Sequence, residues 1–310
     1  MRTSNYFSGN LAQSARLAIT VLVATVLVAT GQVAKAEHIC GDGKTKDGVE
    51  YRYCVDSATD LTQAVRANAN VIYYLHGMGG SEKTWSTATQ YRPLRSQWQA
   101  SAAMMNAPVV ISISLGPLWL LTETPKIGPR SLQAMFVDDI MPKIESRFAI
   151  RKPHRIALGE SVGGFNAVQL LVKENAKFAK VALVCPAIAT IGPLSSDDEV
   201  NTYIQRHQPY VQAEWVKNSM TLTRNEFPTE IDWLKHDPFM LVIRLSRQSP
   251  KLFVTCTTQD EHGFFEGAQR FAREALAQGV QTRWVPIIGG SHCNQTTASL
   301  KALGEFLTSP

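Results

Sequence analysis

Three residues, Ser161, Asp260 and His292, occur in the order and local settings that acyl transfer to a serine would need. A hydroxyl is a poor nucleophile at neutral pH until an imidazole takes its proton. The imidazole in turn needs a carboxylate to fix its tautomer and stabilise its charged form. Ser161 sits in Gly159-Glu160-Ser161-Val162-Gly163, a Gly-x-Ser-x-Gly pattern. Asp260 lies in Thr258-Gln259-Asp260-Glu261-His262 and His292 in Gly289-Gly290-Ser291-His292-Cys293. Glu261 competes for the role of acid, as Asp197 and Asp198 do more remotely, and His262 competes for the role of base.

A tetrahedral intermediate also needs donors for its oxyanion, each worth about 3 kcal/mol of barrier. The segment His76-Gly77-Met78-Gly79-Gly80 follows an apolar run and can turn backbone amides inward. The Met78 amide is one expected donor. The Val162 amide is the other, at the positive end of the helix expected after Ser161. His76 reads as a hydrogen-bonded structural histidine rather than a base. Gly79, Trp119, Leu120 and Phe264 are candidates for lining a substrate pocket, although an apolar loop packed on the core suits Trp119–Leu121 equally well.

These residues have to be held at the ends of strands. Runs rich in β-branched and apolar residues recur at Val71–Leu75, Val109–Ser114, Arg155–Leu158, Val181–Val184, Leu252–Thr257 and Thr282–Ile288. Most are apolar at both parities, as expected of strands covered on two faces. Helical patterns separate them. Phe136, Ile140, Ile144 and Phe148 form one stripe. Ala268, Phe271, Ala272, Ala275 and Leu276 form another, with Gly279 beyond its end. Leu300, Leu303, Phe306 and Leu307 make a final helix. The alternation predicts an α/β fold with a mostly parallel central sheet flanked by helices. His154–Leu158, the Ser161 turn and Phe165–Leu171 make the strand–turn–helix setting in which a nucleophile elbow works. Residues 187–250 are too long for a simple crossover and hold Tyr203, Tyr210, Trp215, Phe227 and Trp233 among polar residues. They are expected to form a helical insert over the sheet's edge, before the acid-bearing strand, serving as a lid or as an extra structural layer.

Residues 1–36 read as a signal peptide rather than as fold: Arg2 and Arg16 precede an apolar run, and Ala34-Lys35-Ala36 has the small-x-small form of a cleavage site. An uncleaved anchor is the alternative, because the run is close to spanning length. Residues 37–310 are then the mature domain, expected in the periplasm or secreted. The segment carries three of the 31 basic residues and none of the 26 acidic ones, so the remainder is nearly neutral. No basic run points to nucleic acid. The composition, 45% apolar and 18% charged, excludes a disordered chain. Of five cysteines, Cys40 and Cys54 flank a polar turn and can staple a hairpin, worth about 3 kcal/mol. Cys185, Cys256 and Cys293 lie in or beside apolar segments, where a buried thiol is the default. No zinc-ligand spacing occurs. Asn294-Gln295-Thr296 matches a glycan acceptor, but a glycan beside His292 would block the site.

His76–Gly80, the Phe136–Phe148 helix ahead of Arg155-Ile-Ala-Leu-Gly-Glu-Ser-Val-Gly-Gly164, Asp260 and Gly290-Ser-His292 together make the chain resemble the α/β-hydrolase superfamily. Within it the chain is similar to the esterase D-like group, which includes carbohydrate and feruloyl esterases, over about residues 68–308. The resemblance implies hydrolysis of carboxylic esters through an acyl-enzyme, without metal or cofactor, on small-molecule or polymer-linked substrates. The 187–250 segment exceeds what compact members carry. His292-Cys293 is similar to the tannase and fungal feruloyl esterase arrangement, in which cysteines beside the serine and the histidine pair; here position 160 is Glu, so that bond cannot form. Cys293 is expected to reach Cys256 if it pairs at all. An acyltransferase or peptidase with the same triad, or an exported binding protein on a silent hydrolase fold, are the alternatives to an esterase.

Overall fold

The computed structural model describes residues 36–66, 68–101, 107–123, 129–151 and 154–309. The expected signal segment lies outside these residues apart from Ala36. Eight strands form one sheet: β1 (Glu37–Lys44), β2 (Glu50–Ser57), β3 (Val71–Leu75), β4 (Val109–Ser114), β5 (Arg155–Glu160), β6 (Lys180–Val184), β7 (Lys251–Thr257) and β8 (Thr282–Ile287). Their spatial order is β1-β2-β4-β3-β5-β6-β7-β8. β2 pairs antiparallel with both β1 and β4, and every other pair is parallel. Helices flank the sheet, as in the α/β-hydrolase fold. β3, β4 and β6 are buried along their whole length, which explains why their sequences are apolar at both parities.

The order of the strands reverses between β3 and β5, and ligand crevices in open α/β sheets form at the carboxyl ends of such switch points. The His76–Gly80 loop leaves β3 there and Ser161 leaves β5 beside it. On the other side of β5, β6 and β7 bring near the loop that holds Asp260, the candidate acid (the acid loop), and β8 brings the loop that holds His292, the candidate base (the base loop).

The expected hairpin is present. β1 and β2 pair in register with Cys40 opposite Cys54, and a disulfide joins the two. The helical stripe Phe136–Ile144 is buried, but the element is not one regular helix. Leu132–Met135 and Met141–Arg147 are α-helical, and Phe136–Ile140 between them is a π-helical turn. Helix Phe264–Ala277 buries Ala268, Phe271, Ala272 and Ala275 as expected; Leu276 is turned to solvent instead. The last strand stops at Ile287, and Ile288 is exposed because the chain there has already left the sheet.

Residues 187–250 fold into helices Asp197–Arg206, Ala213–Glu226, Glu230–Leu234 and Pro238–Val242. The first of these opens with a complete capping box, Ser196 with Glu199. Val200, Tyr203, Ile204, Val211 and Val216 make a small core of their own. The segment leaves the sheet at the carboxyl end of β6. It connects two inner strands, and its side chains meet the acid loop and the helix after Ser161: Tyr203 Oη donates to the Gly263 carbonyl (2.8 Å), and Phe227 packs on Phe165.

Candidate active site

Ser161 is the hinge between β5 and helix Val162–Lys173. Its backbone stands at φ 55°, ψ −117°, which a non-glycine residue adopts only where its surroundings impose it. Ser161 N–H donates to the Val184 carbonyl (3.0 Å), and the Ser161 carbonyl accepts from Gly164 (2.8 Å) and Ala187 (2.8 Å). The turn closes only because Gly163 has no side chain: a Cβ there would fall 1.9 Å from the Leu75 carbonyl oxygen at the end of β3. Gly163→Ala is therefore expected to lower stability by at least about 2 kcal/mol, read as a reduced urea midpoint or loss of soluble protein. An unchanged midpoint would remove this account of the elbow.

The structure brings the three sequence candidates together. His292 Nε2 lies 2.9 Å from Ser161 Oγ, and His292 Nδ1 lies 2.7 Å from Asp260 Oδ2. Asp260 is 3% exposed, and its other oxygen, Oδ1, accepts from the His262 backbone N–H (2.8 Å). Burial pushes the Asp260 carboxyl up, but hydrogen bonds and charge from His292 and His262 outweigh it and hold the group below its ordinary value.

The rivals are placed elsewhere. Glu261 accepts from the backbone N–H of His292, not from its ring. Asp197 and Asp198 are exposed in the first turn of an insert helix. His262 does not bond to Ser161. It stacks on Trp215, with centroids 3.5 Å apart, and meets His292 edge-on at 4.4 Å. Burial, with the neighbouring His292, pushes its pKa down to about 4, so it is neutral near pH 7.

The base loop is pinned on several sides. The Gly289 N–H donates to Thr258 Oγ1 (2.8 Å), and Thr257 Oγ1 donates to the Ser291 carbonyl (3.2 Å). Cys293 is disulfide-bonded, to Cys185 rather than to Cys256. Cys185 follows the end of β6, where its N–H bonds to Thr255 of β7 (2.7 Å). Cys256 is a buried free thiol whose sulfur lies 3.6 Å from Asp260; the neighbouring Thr257, not Cys256, faces the base loop.

His76 is buried and held on both ring nitrogens. The indole N–H of Trp119 can only donate, so at 3.0 Å it makes Nε2 the acceptor. Nδ1 then carries the proton and donates to the Gly77 carbonyl (2.8 Å). Burial holds this imidazole below its ordinary pKa. The arrangement orients a loop that passes directly over Ser161, since a Cβ on Gly77 would stand 3.0 Å from Ser161 Cβ. Gly79 N–H is taken by Pro117 and Gly80 N–H by Gly77. Among the described residues, the Met78 and Val162 N–H groups have no protein acceptor.

Met78 and Val162 open onto a cleft of about 780 Å³, its open mouth included. Of the pocket candidates, Leu120 and Phe264 line this cleft and Gly79 and Trp119 do not: Trp119 bonds to His76 and the Gly79 N–H to Pro117. Sequence reasoning did not single out most of the remaining wall, which comes from Phe165 on the elbow helix and from Trp215, Met220, Phe227 and Trp233 of the insert. The aromatic content of residues 187–250 was the one available signal. Glu160 was noted only as an obstacle to a cysteine, yet it is buried beside Ser161. There it accepts from Tyr91 (2.6 Å) and Tyr74 (3.1 Å), and desolvation with its charge raises both phenols well above their ordinary pKa.

A family profile described as "Putative esterase" matches residues 62–285, more than half of the chain. No curated protein sequence matches. Among solved structures, the chain is similar to a ferulic acid esterase at 17% identity and TM-score 0.63, covering 89% of this chain and 98% of that one. An S-formylglutathione hydrolase from Staphylococcus aureus aligns at 14% identity and TM-score 0.60 with the same two coverages. A thermophilic carboxylesterase cloned from a metagenomic library aligns at 17% identity and TM-score 0.60, covering 88% and 90%. At these identities the structural likeness speaks for the fold.

Proposed function

The chain belongs to the esterase family of α/β-hydrolases and is a carboxylic ester hydrolase, and from that premise we propose that it is an exported serine esterase working through an acyl-enzyme. Ser161 Oγ attacks the ester carbonyl while its proton passes to His292 Nε2. Asp260 keeps the proton of His292 on Nδ1 and stabilises the imidazolium as it forms. The amides of Met78 and Val162 hold the oxyanion, the second helped by the N-terminus of its helix. When the tetrahedral intermediate collapses, the C–O bond to the alcohol breaks and His292 gives that oxygen the proton. Water then repeats the sequence: His292 takes its proton, the acyl–Oγ bond breaks, and Ser161 is restored. The observation that carries this reading is the 2.9 Å contact of Ser161 Oγ with a histidine that is itself 2.7 Å from a buried carboxylate.

Export rests on residues 1–36 and fits two disulfides, which persist outside the cytosol. Among the described residues, no helix is long and apolar enough to cross a membrane. Small esters are the expected substrates; the structural likeness includes a ferulic acid esterase and a carboxylesterase.

The test is hydrolysis of p-nitrophenyl acetate and butyrate together with labelling by a fluorophosphonate. Turnover with stoichiometric labelling at Ser161 is the expected result. Labelling without turnover would favour an acyltransferase or peptidase. Neither, in folded protein, would leave a silent hydrolase fold.

A further inference from the structure

We propose, resting on the reading of Ser161 as an esterase nucleophile, that the substrate's acyl part is an extended aliphatic chain seated in the cleft that runs from Val162 to Trp233. The cleft begins at the two residues whose amides face the oxyanion. A leaving oxygen has to lie near His292 Nε2 to receive its proton, and His292 is not a wall of this cleft. The acyl substituent is the part left to enter it.

The walls set the chemistry of that substituent. Neither lysine nor arginine lines the cleft, so a phosphate or carboxylate tail would be desolvated without a partner. The polar side chains present, Ser219, Thr223 and Glu226, all belong to helix Ala213–Glu226. The Thr223 hydroxyl already donates to the Ser219 carbonyl at 2.6 Å. At the far end the aromatic faces are engaged with one another. Phe165 stacks on Trp233 with 12° between planes, and Phe227 meets Trp233 edge-on. The remaining wall includes Met78, Met220, Leu118, Leu120 and Ile191, flexible and branched aliphatics that adapt to a chain.

The rim continues the pattern. Met78, Leu118 and Leu222 line the cleft and are 43%, 39% and 43% exposed. Single exposed hydrophobics need no explanation, but three on the walls of one cleft mark a surface that meets apolar material. An acyl chain longer than the cleft would cover this rim.

The experiment is kcat/KM along p-nitrophenyl esters from acetate to decanoate, for the wild type and for Leu222→Asp, with fluorophosphonate labelling of Ser161 as a separate readout. The expected profile rises about fourfold per added methylene, the ~0.8 kcal/mol of a buried CH₂, until the cleft is full. Leu222→Asp is expected to lose at least about tenfold more kcat/KM on decanoate than on acetate. A profile that falls from acetate in a protein that labels at Ser161 would overturn the acyl-chain assignment and leave the esterase reading standing. So would an equal loss on both esters in Leu222→Asp. Absence of both turnover and labelling would strike the esterase reading, and this inference with it.

Discussion

Ser161→Ala is expected to lower kcat/KM for p-nitrophenyl butyrate by at least about a thousandfold, with the urea midpoint little changed. The two halves of this expectation have different sources. The hydroxyl is the only atom lost, and among the described residues its hydrogen-bond partner is His292 Nε2, which is half-buried and can turn to water. The elbow backbone is held by Val184, Gly164 and Ala187 through main-chain groups that alanine retains. Alanine also takes the φ of 55° about as readily as serine does. Any residual rate would come from the Met78 and Val162 amides and from substrate binding, which persist without a nucleophile. A variant keeping more than about a tenth of wild-type kcat/KM would exclude Ser161 as the nucleophile.

Asp260→Asn is expected to be nearly as damaging, on the order of a thousandfold or more. The reason lies in the second oxygen. Oδ1 accepts from the His262 backbone N–H, a donor that cannot be removed. An asparagine must therefore put its carbonyl oxygen there and its NH₂ where Oδ2 was, facing His292 Nδ1. That forces the histidine to accept on Nδ1 and carry its proton on Nε2, where it can no longer take one from Ser161. Glu261→Gln is the matched control: its carboxylate accepts from the His292 main chain, and an amide oxygen can still do so. The loss there is expected to stay within about tenfold. Comparable losses in the two variants would mean that Asp260 has no special place. The wild-type pH profile carries the same information. Because Asp260 titrates below the usual carboxylate value, it stays ionised as the pH falls through the range in which a histidine protonates. The acid limb of kcat/KM is then not set by Asp260.

The parallel strands were legible because burial on both faces leaves runs apolar at every position. β3 and β4 begin and end at the residues the sequence marks. The candidate site stood out in the sequence for a related reason: a tight strand–helix turn needs small residues near its serine, and the loop passing over that serine is rich in glycine. Pairing across long sequence separations was not. Cys185 and Cys293 are 108 residues apart, and only the adjacency of β6, β7 and the base loop makes them partners. Trp119 read as a possible pocket wall because an indole is apolar over most of its surface; its single N–H, aimed at His76, decided the matter. The cleft escaped for the same reason. Phe165, Phe227 and Trp233 come from separate elements, and no local pattern foretells their meeting.

The insert is grafted on at a forgiving point. It leaves after β6 and returns to β7, two inner strands whose pairing, from Lys180 with Lys251 to Val184 with Thr255, does not depend on what lies between. Ser161, Asp260 and His292 all lie before residue 187 or after residue 250. Material can thus be exchanged between those strands while the reacting atoms keep their places, provided the exchange respects the bond from Tyr203 to Gly263 and the stacking of Trp215 on His262. The scaffold behaves as a socket and the insert as a fitting, so selection can retool what is cleaved without reinventing how.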